Sequence, residues 1–194
     1  MLRQLGAAMG VATILPLPAA TRARAQSVLG ESFISFTASE SATVRAIVSR
    51  LIPADANGPG ALEARADRYI DRALAGALKA FRGQYTSGLA AVNAQAQSLR
   101  NATFATLSPT DQDNVLRNIE QANAAFFNLI RSHTIQGMFS DPFYGGNANF
   151  AGWDLIGYPG ARTTVSANLQ LMDRRPEPSR KSAYDYGMFS KAEP

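Results

Sequence analysis

A mainly α fold is what this chain of 194 residues predicts: a small helical domain, a long ordered Gly/aromatic loop and an extended C-terminal tail. Three observations carry that expectation. Apolar residues recur at three- and four-residue spacing over much of 38–136, no stretch keeps the strict alternation of a strand, and helix-start signals precede the periodic runs. The length suits one good core and is too short for two substantial domains. The expected organisation is therefore a signal peptide over 1–25, a single helical domain over 26–172 and a polar tail over 173–194.

The leader is read from its order of parts. Arg3 precedes a run of apolar and small residues from Leu5 to Ala20, and Ala23-Arg24-Ala25 places small residues where a signal peptidase needs them, with the mature chain starting near Gln26. The run is too short for a comfortable membrane span and polar sequence follows it, so export with cleavage is the expectation. Twin-arginine leaders carry an Arg pair before the apolar run, whereas here Arg3 stands alone, so the general secretory route is the expectation if translation starts at Met1 and the twin-arginine route if the missing arginines lie upstream.

After an irregular lead-in, Thr37-Ala-Ser-Glu40 fits a capping box. Val44, Ile47, Val48, Leu51 and Ile52 follow at helical spacing and Pro53 ends the element, giving a helix over 38–52. The link Pro53–Gly60 is rich in turn residues. Beyond it Tyr69, Ile70, Ala73, Leu74, Leu78 and Phe81 mark an apolar face that resumes after Gly83 through Tyr85, Leu89, Val92, Ala96 and Leu99. This predicts one long bent helix or two stacked ones, with Arg65, Asp67, Arg68, Asp71 and Arg72 mostly outward as solvated pairs.

Ser108-Pro-Thr-Asp111 is the clearest helix start: Ser108 caps, Pro109 loses no needed amide bond, and Asp111 meets the positive end of the dipole. Val115, Ile119, Ala122, Phe126 and Ile130 form the stripe of a helix over 109–136. That helix runs into Phe139–Gly160, 22 residues with five glycines and two prolines. Asp141-Pro142 and Pro159-Gly160 form turns, Gly145-Gly146 opens conformations closed to other residues, and Asn147 can bond nearby amides. Its rings, Phe143, Tyr144, Phe150, Trp153 and Tyr158, suit three uses: covering the end of the chain's own core, meeting a partner, or lining a small-molecule site. A short helix over 163–172 and a Pro-rich charged tail complete the chain.

Composition excludes several functions. The 19 basic residues exceed the 15 acidic ones, but Arg3, Arg22 and Arg24 leave with the leader, and a mature net charge of +1 gives no basis for nucleic-acid binding. Absence of cysteine removes disulfides, c-type haem attachment, thiolate-bound iron–sulfur clusters and thiol catalysis. His133 is the single histidine, so no multi-histidine metal site can form. Its open readings are a structural hydrogen bond to the incoming loop, a polar contact near a partner's cofactor, or a general base. Asp141 and Asp154 read as turn caps. Gly145-Gly146-Asn147 lacks the strand-before, helix-after setting of a phosphate cradle.

Leu51-Ile-Pro-Ala-Asp55, Gly58-Pro-Gly-Ala61, Tyr69-Ile-Asp71, Phe126-Phe127, His133, Asp141-Pro-Phe-Tyr-Gly-Gly-Asn147, Gly152-Trp153 and Ile156-Gly-Tyr-Pro-Gly160 together resemble subunit 3, the gamma or small subunit, of membrane-associated gluconate 2-dehydrogenase. The resemblance spans about residues 37–160. It implies a partner: a large flavoprotein that binds FAD and oxidises a sugar or sugar acid, often with a multi-haem cytochrome c subunit passing electrons to the quinone pool. The assembly faces the periplasm and reaches the membrane through its partner subunits. The small subunit, often exported with a twin-arginine leader, supports maturation, export and retention of the large one. No catalytic residue, metal or cofactor of its own is implied for this chain. Expected partner contacts are Phe143, Tyr144, Trp153, Tyr158 and His133, on a loop shaped by Asp141, Pro142, Gly145, Gly146, Asn147, Gly152, Gly157, Pro159 and Gly160. The rival expectation is a stand-alone periplasmic binding or structural homo-oligomer.

Overall fold

The computed structural model of the chain describes residues 32–173 and 176–187. The expected leader over 1–25, the start of the lead-in and parts of the expected tail lie outside the described residues. Among the described residues there are six α-helices and no strand: α1 Ala38–Leu51, α2 Ala66–Ala75, α3 Arg82–Arg100, α4 Pro109–Ala122, α5 Ala124–Phe139 and α6 Ala151–Ile156. The mainly helical expectation holds. No helix among them is long and apolar enough to cross a membrane.

Local chemistry sets the helix ends. The Thr37 hydroxyl accepts the Glu40 amide, and the Glu40 carboxylate accepts the Thr37 amide at 2.9 Å, closing the capping box of α1. Ser108 accepts the Asp111 amide at 3.2 Å and Pro109 takes the first position of α4.

One expected continuity is broken, and one open choice is decided. The predicted helix over 109–136 is two helices that meet at Asn123. This residue leaves helical conformation (φ −143°, ψ 61°), donates its amide to Ile119 O to close α4, and accepts the Phe126 amide at 3.2 Å to open α5. One short side chain thus serves as the stop of one helix and the cap of the next. In the region 69–99 the chain forms two helices, and the break falls at Gly76 rather than Gly83: Ala73 O accepts the amides of both Gly76 and Leu78 before a 3-10 turn at Lys79–Phe81 leads into α3.

The α5 helix is the centre of the molecule and touches each of the other five. Ile47, Ile70, Tyr85, Leu89, Val115, Ile130 and Met138 are almost fully buried around it. At Gly137 the α5 backbone comes so close to Ala66 of α2 that a side chain would have no room, which lets the two helices pack backbone to backbone.

The acids of α2 do not face solvent as expected. Asp71 is 2 % exposed because its carboxylate accepts the amides of Ile34, Ser35 and Phe36 at 2.7, 2.8 and 3.0 Å. The Ser35 hydroxyl adds a bond to Asp71 O, and Arg82 donates to Ser35 O. The Arg68 guanidinium lies 3.7 Å from the centre of the Phe33 ring. A carboxylate that takes three amides is strongly held, so the lead-in is fastened across α2 and α3. Asp67 is equally buried beside Arg45 at 3.1 Å. Burial pushes its carboxyl above the usual range, against the pull of Arg45 and Arg68.

The predicted helix over 163–172 reduces to a 3-10 turn at Ala167–Gln170. Val165, Leu171 and Met172 are all exposed. Ten residues with no surface to bury against cannot offset the cost of starting a helix.

Candidate functional site

The loop after α5 is built onto the C-terminal turn of that helix. Helix ends leave carbonyls without partners, and the loop supplies them. Asn147, with no exposed surface, takes the left-handed conformation (φ 45°) and donates its amide to Gly137 O at 2.7 Å. Its side-chain nitrogen donates to Ser140 O at 2.8 Å, while its side-chain oxygen accepts the Gly152 amide at 2.8 Å and the Trp153 amide at 3.4 Å. The Trp153 indole donates to Phe139 O at 2.9 Å. Asn147 therefore ties the exit of α5 to the entrance of α6.

This docking explains two glycines by proximity. A Cβ at Gly146 would stand inside the radius of Gly137 O, and one at Gly152 inside that of Met138 O. Gly145, Gly157 and Gly160 sit at positive φ. Asp141 accepts the Phe143 amide at 2.8 Å and caps the 3-10 turn Pro142–Tyr144, as its place before Pro142 predicts. Asn149 and Phe150 are also left-handed, at φ 55° and 63°. An aromatic residue rarely adopts this region. The Phe150 ring is held against Trp153, at 5.5 Å between centres, and Trp153 packs edge-on to Tyr158 at 4.9 Å.

The five expected contact residues separate into two groups. Trp153 and His133 are only 5 % and 4 % exposed, so each belongs first to this chain's own packing. Phe143 is half-buried and packs edge-on to Tyr144. Tyr144 and Tyr158 are exposed at 58 % and 42 %, joined by Ile156 at 58 %. An open groove lined by Phe139, Asp141, Trp153, Ile156, Tyr158 and Ala161 runs along this surface. The exposed apolar edge comes from Ile156 and Tyr158, with Pro159 half-buried beside them.

His133 does not bond to the loop. Its Nδ1 lies 3.0 Å from the Tyr85 hydroxyl, and Phe81 meets its ring edge-on. Burial pushes the imidazole below its ordinary pKa and pushes the Tyr85 phenol up. Neutral imidazole accepting from neutral phenol is the arrangement both shifts favour. This pair is a polar contact inside the core between α3 and α5.

Sequence reasoning missed Gly137, Ser140 and Asp71. A glycine inside an apolar helical run has a packing reason or marks a cap, and Gly137, third from the end of α5, has the packing reason. Asp71 carried no such mark.

A protein-family model described as gluconate 2-dehydrogenase subunit 3 matches residues 38–160. The chain belongs to this family. The matched region starts on the first residue of α1 and ends on Gly160, so it contains all six helices and the complete loop of this subunit 3 protein. The family is that of a subunit of a dehydrogenase assembly. No curated protein and no solved structure matches the chain.

Proposed function

We propose that this subunit 3 chain is the non-catalytic small subunit of a periplasmic FAD-dependent sugar or sugar-acid dehydrogenase, and that it supports export, maturation and stability of the flavoprotein large subunit. FAD belongs to that partner, and haem c to a multi-haem cytochrome partner that carries electrons onward at the inner membrane. The observation that carries this reading is the coincidence of the family match with the loop: the match closes on Gly160, and its last part is the loop that the Asn147 amide and the Trp153 indole fasten to α5 while Tyr144, Ile156 and Tyr158 remain exposed. A rigid scaffold presenting aromatic and aliphatic side chains has little conformational entropy to lose on association. The buried Asn147 side chain and the Trp153 indole are occupied in holding its shape.

The test is a mild affinity purification of the chain from membrane and periplasmic extract, with mass spectrometry of co-eluting proteins and an absorption spectrum for flavin and haem. A flavoprotein at near-equal amount supports the reading. Replacing Ile156 by Ser and Tyr158 by Ala should reduce its recovery at least tenfold while the circular-dichroism spectrum is unchanged. A colourless chain recovered alone, or as a homo-oligomer, would overturn it in favour of a stand-alone binding or structural role.

A further inference from the structure

The link between α1 and α2 folds back on itself within four residues. The Asp55 amide donates to Gly58 O at 3.1 Å and the Gly58 amide to Asp55 O at 3.2 Å, an isolated antiparallel bridge. The Asp55 carboxylate closes the turn from the side: Oδ1 accepts the Asn57 amide at 2.7 Å and Oδ2 accepts the Asn57 side-chain nitrogen at 3.2 Å. This is an Asx turn, in which a side chain bonds the backbone two residues on. The Asn57 amide first, its side chain second and the Gly58 amide last hold the Asp55 carboxyl below its ordinary range, against desolvation.

The same four residues contain the chain's single Asn-Gly pair. A backbone nitrogen that gives up its proton can attack Cγ of the asparagine before it. The Cγ–Nδ2 bond breaks, the proton passes through solvent to the leaving nitrogen, and ammonia departs. Water then opens the five-membered succinimide at either carbonyl, to aspartate or to isoaspartate. The sum is loss of ammonia and gain of water. Glycine at the attacking position favours this reaction because no Cβ blocks the approach, and every other asparagine of the chain precedes a residue that has one. Asn57 is exposed, so solvent reaches the pair.

The turn opposes the reaction at both reacting atoms. Asp55 O holds the Gly58 proton, and a carboxylate charge nearby disfavours an anionic nitrogen. The bond from Nδ2 to Oδ2 limits the rotation that would bring Cγ onto the Gly58 nitrogen.

We propose that Asn57 is the chain's site of spontaneous deamidation, through a succinimide with Gly58, and that Asp55 is the positioning residue that sets its rate. Conversion to aspartate exchanges the Nδ2 donor for a second carboxylate opposite Asp55, and like charges that close repel, so the turn opens. A Cβ on Gly58 would stand 3.2 Å from Leu155 Cδ1, which places the turn against α6, where Leu155 and Ile156 are exposed. The inference is independent of the subunit reading.

The test incubates the purified full chain in mildly alkaline buffer and follows each asparagine-containing peptide by mass spectrometry, with isoaspartate read by enzymatic methyl transfer. The native chain should convert at Asn57 before any other asparagine, and at least tenfold more slowly there than the same chain in urea. Asp55→Ala should accelerate conversion in the folded state at least fivefold. Asp55→Ser, whose hydroxyl rebuilds the turn more weakly, should fall between the two. Earlier conversion at another asparagine of the folded chain would overturn the site. Equal rates in native chain and alanine variant, or a serine variant as fast as the alanine one, would overturn the role of Asp55. The comparison of folded chain with urea needs no variant, and equal rates there overturn that role as well. Asn57→Asp, which carries the aspartate product, should exchange its Gly58 amide hydrogen at least fivefold faster than the native chain after correction for intrinsic rates; unchanged exchange would overturn the opening of the turn.

Discussion

The imidazole of His133 and the phenol of Tyr85 lie with ring planes 9° apart and share a hydrogen bond of 3.0 Å in a site where both side chains are nearly removed from water. Burial lowers the histidine pKa in the folded chain, so between the folded and unfolded values the unfolded chain holds the extra proton. Stability from this group is complete above the unfolded value of about 6.5 and falls as pH decreases through it. Urea unfolding midpoints measured from pH 7.5 down to pH 5 should decline, and His133→Gln should flatten that slope. An equal slope in the variant would place the titration elsewhere.

Removing the phenol oxygen tests the same pair at fixed pH. Tyr85→Phe leaves the ring packing against Phe36 and Phe126 but strands the imidazole nitrogen. A loss of about 1–2 kcal/mol in chemical denaturation at pH 7.5 is expected. A neutral outcome would mean that water replaces the hydroxyl.

Asn147→Ala should be among the most damaging changes in the loop. It removes a donor to Ser140 O and the acceptor for Gly152 and Trp153, and it puts alanine at φ 45°. The expected cost is roughly 2–4 kcal/mol from the stranded polar groups. Hydrogen exchange at the Gly152 amide should accelerate in step.

Two glycine-to-alanine changes should have opposite signs. Gly152→Ala drives a methyl group into Met138 O and should destabilise by about 3 kcal/mol. Gly83→Ala, in α3 with open space around it, should raise stability by about 0.5 kcal/mol. Thermal melts of the pair separate the packing role of glycine from its chain entropy.

Asp71→Ala should release the lead-in while leaving the helices in place. The amides of Ile34, Ser35 and Phe36 lose their common acceptor, and their hydrogen exchange should rise far more than that of α5. A loss of about 2–3 kcal/mol is expected, since these bonds are charge-assisted.

What could be read from the sequence was whatever its local chemistry decides. The boundaries of α1 and the start of α4 follow from Thr37, Glu40, Ser108 and Pro109, whose partners are three residues away. The order and turn chemistry of the loop followed from Asp141 and its glycines for the same reason. The break at Asn123 escaped because Ile119, Ala122, Phe126 and Ile130 keep helical spacing across it, although an asparagine is a strong cap. Burial of Asp67 and Asp71 was hidden because the groups that satisfy them are 22 to 37 residues away. Helical periodicity marks a polar face without showing that another segment will cover it. An interior place for Trp153 and His133 was among the readings their sequence allowed, but their partners were not legible, since the carbonyl of Phe139 and the hydroxyl of Tyr85 are backbone and side-chain groups of other elements. The returning tail gave no signal, as it reaches main-chain carbonyls of Pro159 and Ala161 and the carboxylates of Asp141 and Asp154 across 18 to 42 residues of sequence.

The fastening of the lead-in has a temporal side. Ile34, Ser35 and Phe36 emerge from the ribosome 35 to 37 residues ahead of the carboxylate that will hold them, and Arg82 follows later still. The three amides therefore have no acceptor until α1 and the first half of α2 have been made, which makes this fastening a late event of synthesis although it holds an early stretch of chain.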